Sequence, residues 1–306
     1  MKNLIAIVLA GAWCTSVSAQ VVQYVAAKGS YHEQTTDDVA PGIEGYTHAF
    51  GASLFCTSIE DAATAHMTFD GPLSPFVLDP LPPYPYFGSS GGYFDTREDL
   101  DTAFPPALYT FSIAGGTLGE QFDTLDMNVD LWPTTVAYFT GDTFSRLTGM
   151  RTNRAFHGTF ASFTPPEGVN VAEIGLFISS ESGEAPSFEG TYDPSDGSFT
   201  IPAGTLAGGT QYIVGLSFST QLYSPSRFPS GTATGIAAFS RLTTFVFVTG
   251  CPADFDGDGF VSGVDFDLFV QAFEAGDAEA DFNGDGFVSG VDFDEYVVSF
   301  ETSCPA

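Results

Sequence analysis

Oxygen-bearing side chains recur at fixed spacing in residues 254–265 and again, 27 positions later, in residues 281–292. Each stretch has twelve residues, with side-chain oxygens at positions 1, 3, 5, 9 and 12 and glycine at position 6. Calcium takes roughly six to eight oxygen ligands at about 2.3–2.6 Å, and a chain with this spacing presents them as it wraps an ion. Position 7 contributes only its backbone carbonyl, so phenylalanine is permitted there. The pattern predicts two loops that each bind one Ca²⁺ ion.

The predicted ligands occupy the same positions in both loops. They are Asp254, Asp256, Asp258, the Phe260 carbonyl, Ser262 and Asp265 in the first loop, and Asp281, Asn283, Asp285, the Phe287 carbonyl, Ser289 and Asp292 in the second. Position 12 is aspartate where an EF-hand has glutamate, so a bidentate contact requires the following helix to lie closer. The first loop has four carboxylates and the second has three, which predicts tighter calcium binding in the first loop. Most acidic stretches are solvated surface. That explanation does not account for two copies that have ligand residues and glycine at the same positions.

Apolar residues follow each loop at the spacing of one helical face. They are Phe266, Phe269, Val270 and Phe273 after the first loop, and Phe293, Tyr296, Val297 and Phe300 after the second. Spacing of i, i+3, i+4 and i+7 predicts one amphipathic helix after each loop. The helix that precedes the loop of a complete EF-hand is not indicated. We expect the two helices to bury their apolar faces against each other as an antiparallel pair.

The first nineteen residues have the pattern of a secretory signal peptide. Lys2 precedes an apolar stretch at Leu4–Trp13, and small residues follow up to Ala19, after which cleavage is expected. The apolar stretch is shorter than the roughly 20 residues that span a bilayer. The sequence therefore predicts export to a secreted, extracellular or cell-surface location, without a membrane span.

Three cysteines follow the predicted signal peptide. Export permits disulfide bonds, and Cys251 and Cys304 bracket the acidic C-terminal segment. If these two pair, closing so long a loop stabilises the fold by about 4 kcal/mol on the chain-entropy model. Cys56 is expected to be a buried, unpaired thiol.

The duplicated loop–helix unit, with aspartate at position 12 near the C-terminus of an exported chain, resembles a type I dockerin. The resemblance covers about 56 residues, 250–306. It implies docking to a cohesin module on a scaffold or cell surface, usually in a polysaccharide-degrading assembly. It also implies that loop positions 10 and 11, here Gly263–Val264 and Gly290–Val291, help to recognise the cohesin. Because the two pairs are identical, either face could serve the same partner.

The charge of the chain excludes some partners. The sequence has 38 acidic and 8 basic residues, for a formal net charge of −30. Nucleic acids and anionic membrane surfaces both require cationic partners, so neither is expected to bind. Residues 251–306 contain 14 acidic residues and no Lys or Arg. Such acidity favours solubility and divalent cations.

Period-two alternation predicts β-strands in residues 20–249. Apolar residues alternate with polar ones or glycine around Tyr109, Ile174 and Leu216, and turn residues separate the segments. This predicts one antiparallel β-sandwich domain, or two with a boundary near the Pro-rich stretch 72–85. Residues 245–248 are all apolar and are expected to form a final strand buried on both faces. The predicted fold class is mainly β, with this sandwich followed by a small α-helical dockerin-type module.

One local pattern resembles a known feature of sandwich folds. The segment 206–212 is similar to the tyrosine corner of immunoglobulin-like and fibronectin-type domains. There a tyrosine hydroxyl bonds to the backbone a few residues upstream, which predicts such a contact for Tyr212. The N-terminal region as a whole resembles uncharacterised secreted β-sandwich proteins of this kind. That resemblance implies a fold and no activity.

Two further functions of the β region stay open. A polysaccharide hydrolase needs two carboxylates at a defined separation, and the candidates are Asp123, Asp126, Asp130, Glu181, Glu184 and Glu189. A polysaccharide-binding platform needs exposed aromatic rings, and the candidates are Tyr84, Tyr86, Phe87, Tyr93, Phe104 and Trp132. No catalytic motif marks any pair of these residues. A non-enzymatic surface protein with a calcium-stabilised terminus is the remaining alternative.

Overall fold

The computed structural model of the chain describes residues 19–180, 183–225 and 228–302. Within these ranges the strands are β1 (Val21–Glu33), β2 (His48–Cys56), β3 (Thr64–Thr68), β4 (Phe76–Pro80), β5 (Tyr86–Phe94), β6 (Leu108–Ala114), β7 (Gln121–Asp126), β8 (Phe139–Thr140), β9 (Phe156–Phe160), β10 (Val171–Ser180), β11 (Phe188–Tyr192), β12 (Ser198–Ile201), β13 (Gln211–Pro225) and β14 (Thr234–Val248). The helices there are α1 (Arg97–Ala103), α2 (Thr143–Leu147), α3 (Gly263–Ala275) and α4 (Gly290–Thr302), with short 3₁₀ turns at Ile59–Asp61 and Ala278–Ala280. No helix in the described ranges is both long and apolar enough to cross a membrane. The predicted signal peptide, apart from Ala19, lies outside the described residues.

Eleven of the described strands form one large sheet, in the order β11-β10-β13-β14-β1-β2-β5-β4-β3-β6-β7. Its pairs are antiparallel, as predicted, with one exception. Strands β1 and β14 pair in parallel, from Gln23 opposite Thr234 to Glu33 opposite Thr244. The prediction of a purely antiparallel sandwich is wrong for this pair. A hairpin would impose the antiparallel direction, but a long connection leaves the direction open.

One end of the large sheet folds back over its middle. The ring centroids of Tyr24 on β1 and Phe111 on β6 lie 5.2 Å apart, and those of Phe50 on β2 and Tyr109 on β6 lie 6.0 Å apart. These strands are not neighbours in the sheet, so the contacts cross between two layers. The two-layer packing is a β-sandwich, and its core includes buried residues on both sides of the Pro-rich stretch 72–85.

A small sheet, β12-β9-β8, covers another part of the large sheet. Phe139 on β8 lies 5.5 Å from Phe245 on β14 between ring centroids. Strand β14 serves both cores, because Ala237 and Phe239 lie in the first and Phe245 and Phe247 lie in the second. Alternate residues of a strand share a face, so the two cores lie on the same face of β14.

The opposite face of β14 is more open than predicted. Val246 and Val248 are 49% and 46% exposed, so the expectation of a strand buried on both faces is wrong. The small sheet covers one face only, and an all-apolar run does not reveal which face a second layer will cover. The chain then continues through Thr249, which is 2% exposed, and Gly250, whose N–H donates to the Met150 carbonyl at 2.8 Å. This short connection is packed against the sandwich.

The expected tyrosine contact is present at the start of β13. The Ala207 N–H donates to the Tyr212 hydroxyl at 2.9 Å. A second tyrosine makes a related contact before β6, where the Tyr109 hydroxyl donates to the Pro105 carbonyl at 2.9 Å. In each case a buried tyrosine near the start of a strand is hydrogen-bonded to the backbone of the segment that precedes that strand.

Residues 250–302, called here the C-terminal module, contain a third core, separate from the cores of residues 20–249, called here the β-domain. The predicted helices α3 and α4 are present. Phe269 and Tyr296 are fully buried, and their rings stack 3.8 Å apart. Phe266 near the start of α3 lies 5.5 Å from Phe300 near the end of α4. The helices therefore run antiparallel, as predicted.

Basic side chains are placed inside the β-domain as well as on its surface. Trp132 has the Arg97 guanidinium 5.6 Å and the Arg241 guanidinium 5.5 Å from its ring centroid. The side chain of Lys28 is 3% exposed and pairs with Asp101 at 2.5 Å. Burial lowers the pKa of Lys28, and the hydrogen bond and charge of Asp101 oppose this only in part. The charged groups of Lys28, Arg97 and Arg241 therefore contact other side chains of the β-domain.

Candidate metal centre

The first predicted loop brings three carboxylates together. One oxygen each from Asp254, Asp256 and Asp265 lies within 4.8 Å of the other two. Oxygens that share one calcium ion at about 2.3–2.6 Å are at most about 5 Å apart, so the spacing fits that ion. Asp258 is outside this group, and its Oδ1 accepts a hydrogen bond from the Phe260 N–H at 2.8 Å. Positions 1, 3 and 12 could therefore hold a hard cation.

Asp254 also shapes the turn of the first loop. Its Oδ1 accepts from the Gly257 N–H at 2.8 Å and the Asp258 N–H at 3.1 Å, and its Oδ2 accepts from the Gly259 N–H at 2.9 Å. Gly257 and Gly259 have φ of +76° and +92°. Glycine adopts this left-handed region without steric strain. The predicted role of glycine at position 6 is therefore seen in the backbone.

The second loop repeats this conformation. Asp281 accepts from the Asp285 N–H at 3.1 Å and the Gly286 N–H at 2.9 Å. Asn283 Oδ1 accepts from the Asp285 N–H at 3.0 Å, as the equivalent Asp256 accepts from the Asp258 N–H at 3.0 Å. The second loop thus has a neutral amide oxygen at position 3, where the first has a carboxylate.

Aspartate at position 12 is fully buried in both loops. Asp265 Oδ1 accepts from the N–H groups of Phe255 and Asp256 at 2.8 and 3.2 Å, and Oδ2 accepts from Ser262 N–H at 2.7 Å. Burial raises the pKa of the Asp265 carboxyl, but these donors outweigh burial and hold the pKa below its usual value. A carboxylate has about four lone-pair sites, and three of them accept these backbone N–H groups. This favours a one-oxygen contact with a cation over a bidentate one.

Asp292 makes the equivalent bonds in the second loop. It accepts from the N–H groups of Phe282, Asn283 and Ser289 at 2.9, 3.2 and 2.8 Å. The Ser289 hydroxyl also donates to Asp292 Oδ2 at 3.1 Å and accepts from the Val291 N–H at 3.2 Å. The Ser262 hydroxyl likewise accepts from the Val264 N–H at 3.1 Å, and its hydrogen bond to Asp265 helps to lower the pKa of that carboxyl. A cation in either loop must compete with the serine hydroxyl, so the smaller carboxylate count is the reason to expect weaker binding in the second loop.

The predicted partner-binding residues lie at the beginning of the two helices. Gly263–Val264 opens α3 and Gly290–Val291 opens α4, and the two valines are 57% and 54% exposed. The position-7 phenylalanines, Phe260 and Phe287, are 73% and 74% exposed. The module therefore presents two equivalent sets of exposed apolar side chains.

The β-domain makes contacts with both loops that the sequence patterns did not predict. Three side chains of segment 151–154 donate to backbone carbonyls of the module: Arg151 to Phe255, Asn153 to Phe282 and Arg154 to Glu279, each at 2.6 Å. A signal was available, because two of the chain's 8 basic residues lie three positions apart here in a chain of net charge −30. Only the tertiary structure places that pair against the module.

The cysteines are described in part. Cys56 is a free, buried thiol, as predicted, and burial raises its pKa to about 12, with a further rise from the charge of Asp61. Cys251 packs against the core of the module. Cys304 lies outside the described residues, so the Cys251–Cys304 disulfide stays a prediction.

The predicted aromatic platform is not assembled. Phe87, Phe104 and Trp132 are at most 6% exposed and belong to the first core. Tyr84 and Tyr93 are 68% and 39% exposed. Large rings next to strand segments fill the space between two sheet layers, and the sequence does not say which face they take.

A different aromatic group lies on the surface. The ring of Tyr93 is 5.0 Å from Tyr46 and 6.2 Å from Tyr31 between centroids, both edge-on. Tyr46 is 50% exposed. Burial raises the pKa of Tyr31 to about 12, with a contribution from Tyr93. This tyrosine cluster (Tyr31, Tyr46, Tyr93) brings together residues from separate parts of the chain.

The carboxylates proposed for hydrolysis are spread over different environments. Asp123 is 7% exposed and accepts from the Tyr24 hydroxyl at 2.8 Å, while Asp126 is exposed on the other face of β7. Asp130 pairs with Arg97 at 2.9 Å. Glu181 lies outside the described residues. These positions do not define a catalytic pair.

No family model and no curated protein sequence matches the chain. Among solved structures, the FN1–FN3 domains of chicken CNTN1 are similar at 15% sequence identity, with 69% of this chain and 66% of that chain covered and a TM-score of 0.22. At that TM-score the similarity carries no argument about fold or function.

Proposed function

We propose that the C-terminal module binds two calcium ions, one in each loop. The observation that carries this proposal is the convergence of Asp254, Asp256 and Asp265 oxygens to within 4.8 Å of one another. The second loop repeats three of the first loop's backbone hydrogen bonds and both of its glycine conformations. When bound, calcium supplies charge neutralisation for carboxylates that have no Lys or Arg of the module near them. The residues that would hold it are the predicted ligands of positions 1, 3, 5, 7, 9 and 12.

Calorimetric titration of the full chain with calcium chloride tests this proposal. Wild type is expected to take up two ions, and Asp254→Asn or Asp281→Asn to take up one. Asp267→Asn and Asp294→Asn are matched controls, because both residues are exposed on α3 and α4 outside the loops. Absence of calcium uptake by wild type, or two ions in both loop variants, contradicts the proposal.

We further propose that the calcium-loaded module docks to a cohesin-type partner of an extracellular polysaccharide-handling assembly. The support is the resemblance to type I dockerins together with the exposure of Val264 and Val291 in equivalent positions. The β-domain is then the docked component, exported by the predicted signal peptide. Recognition needs calcium because the loops position the first turn of α3 and α4.

Binding to a recombinant type I cohesin in calcium, measured by surface plasmon resonance, tests the docking proposal. Because the two faces are equivalent, Val264→Asp and Val291→Asp are each expected to retain binding, and the double variant to lose it. Val77→Asp is a control with a valine that is 60% exposed on the β-domain. Equal binding by the double variant and wild type excludes these faces. No binding by wild type excludes this partner class and leaves the calcium proposal in place.

The tyrosine cluster supports a second candidate function, polysaccharide binding by the β-domain. Tyr46 and Tyr93 are half-exposed and lie 5.0 Å apart, and exposed aromatic faces pack against sugar rings. Affinity electrophoresis in gels that contain soluble xylan or hydroxyethyl cellulose tests this function. Retardation of wild type that is lost in Tyr46→Ala but kept in Tyr84→Ala, an exposed tyrosine elsewhere, supports it. Unretarded wild type removes these polysaccharides as ligands.

A further inference from the structure

We propose that residues 151–154 of the β-domain position both calcium loops and thereby set their affinity for the metal. The proposal rests on the calcium binding proposed above and adds a role for residues outside the module. The observation that carries it is a pair of equivalent hydrogen-bond chains, each running from the β-domain to the position-12 aspartate of one loop.

The first chain runs through the peptide group that joins Phe255 to Asp256. The Arg151 guanidinium donates to its carbonyl oxygen at 2.6 Å, and the N–H of the same peptide group donates to Asp265 Oδ1 at 3.2 Å. The guanidinium also lies 5.2 Å from the centroid of the Phe255 ring and 3.7 Å from a carboxylate oxygen of Glu279. A cation on the carbonyl polarises the peptide group and strengthens the N–H as a donor.

The second chain is the counterpart in the other loop. The Asn153 side-chain amide donates to the Phe282 carbonyl at 2.6 Å, and the N–H of that peptide group, from Asn283, donates to Asp292 Oδ1 at 3.2 Å. Phe255 and Phe282 both occupy position 2 of their loops. Two donors that are two residues apart in the β-domain therefore contact equivalent carbonyls of the repeat.

The segment that carries these donors is fixed on the β-domain. Thr152 is 6% exposed, and its carbonyl accepts from the Gly204 N–H at 2.7 Å. Arg154 adds a third contact, from its guanidinium to the Glu279 carbonyl at 2.6 Å, just before the second loop. The loops thus contact segment 151–154 directly and are not joined to the β-domain only through Gly250.

Residues that orient the ligands of a metal change its affinity by about 10- to 100-fold when they are replaced. The contact between the module and segment 151–154 and the binding of calcium are thermodynamically linked. If that contact raises the calcium affinity of the loops, calcium strengthens the contact by the same factor. Arg151 and Asn153 are therefore positioning residues for the two sites. Each is expected to act on one loop.

The test uses full-length chains in which one loop has been disabled. In the Asp281→Asn background only the first loop remains, and Arg151→Met is expected to weaken its calcium affinity about tenfold, whereas Asn153→Asp leaves it unchanged. In the Asp254→Asn background only the second loop remains. There Asn153→Asp is expected to weaken the calcium affinity, and Arg151→Met to leave it unchanged. Arg146→Met is the matched control, because Arg146 pairs with Asp142 on the β-domain. General destabilisation of the fold does not produce this exchange of effects.

Hydrogen exchange on wild type provides a second readout that needs no variant. Calcium is expected to slow exchange in peptides that cover 149–154, in the β-domain, as well as in the loops. Two results overturn the inference if wild type takes up calcium: unchanged calcium affinity in Arg151→Met and Asn153→Asp, or no calcium-dependent protection of 149–154. Either result leaves the proposed function standing. No calcium uptake by wild type overturns both.

Discussion

Asp265 contributes to the module before any metal binds, because its carboxylate accepts three backbone N–H groups in a fully buried position. The same residue is predicted to be a calcium ligand. Asp292 repeats this arrangement in the second loop. The position-12 residue therefore has a structural role beside its proposed role in calcium binding, and a substitution there is expected to have effects with and without calcium.

Replacing Asp265 with asparagine is expected to destabilise the module even in chelator. The new amide keeps the shape of the side chain but turns one acceptor into a donor that faces N–H groups, at a cost of about 1–3 kcal/mol. Thermal unfolding of the full chain in chelator and in calcium measures this. Asp267→Asn, an exposed residue two positions on, should unfold like wild type. Equal stability of Asp265→Asn and wild type in chelator contradicts the structural role.

His32 makes the stability of the β-domain depend on pH. Burial lowers its pKa to about 4, and the charge of Arg241 acts in the same direction. Because the folded pKa lies below the ordinary value of about 6.5, the unfolded chain binds the proton more readily. Stability is retained above pH 6.5 and is lost as the pH falls from about 6.5 to about 4. From pH 7 to pH 5 the contribution of His32 amounts to about 2 kcal/mol.

Urea unfolding of the full chain in calcium at both pH values tests this prediction. His32→Gln is expected to lose less stability between pH 7 and pH 5 than wild type, because glutamine does not titrate. His157→Gln is the control, since His157 is exposed and its replacement leaves His32 in place. Burial also lowers the pKa of His48, so part of the dependence remains in His32→Gln. The same pH dependence in His32→Gln as in wild type refutes the assignment.

At the scale of elements, helices α3 and α4 fix the distance between the loops through one central contact. Phe269 and Tyr296 are fully buried and stack 3.8 Å apart. The Tyr296 hydroxyl also donates to the Ala253 carbonyl at 3.3 Å, at the entrance of the first loop. Packing between the helices is thereby connected to the geometry of the loop.

Phe269→Ala is expected to destabilise the module by about 3–5 kcal/mol, the usual cost of removing a buried phenylalanine ring. The apparent calcium affinity should fall with it, because binding and folding of the module are linked. Val298→Ala is the control, since Val298 is 61% exposed on α4. Calorimetric calcium titration and thermal unfolding give the two readouts. A Phe269→Ala module as stable as the control shows that the stack is not central.

The elements themselves were largely predictable from local patterns. Alternation identified the strands around Tyr109, Ile174 and Leu216, and the helical spacing identified α3 and α4. The parallel pairing of β1 with β14 was not predictable, because neither strand records the direction of a partner more than 200 residues away. Local pattern likewise assigned the ligand positions but not segment 151–154, whose contacts exist only after the β-domain and the module have both folded.

At the scale of the whole molecule, the arrangement of the three cores predicts that the β-domain and the module respond differently to calcium. The first and second cores share β14, whereas the third is confined to residues 251–300. The module has no Lys or Arg of its own, so repulsion between its carboxylates opposes folding without cations. Contacts from Arg151 and Arg154 offset only part of this repulsion.

Chelation is expected to unfold or loosen the module while the β-domain stays folded. Circular dichroism should lose helical signal in chelator and keep the strand signal. Sodium chloride at about 1 M should restore part of the helical signal, because it shortens the screening length to about 3 Å. The control is chelator to which excess calcium is added back. Spectra that do not change on chelation contradict this expectation.

The parallel pairing of β1 and β14 has a mechanical consequence. The two strands align over Gln23–Glu33 and Thr234–Thr244, and the module follows the far end of β14. A protein held by this module and pulled at its N-terminal strand feels the force along the strand axes in opposite directions. The hydrogen bonds between the strands are then loaded together in shear, instead of opening one after another like a zip. A tethered copy should therefore unfold slowly under tension.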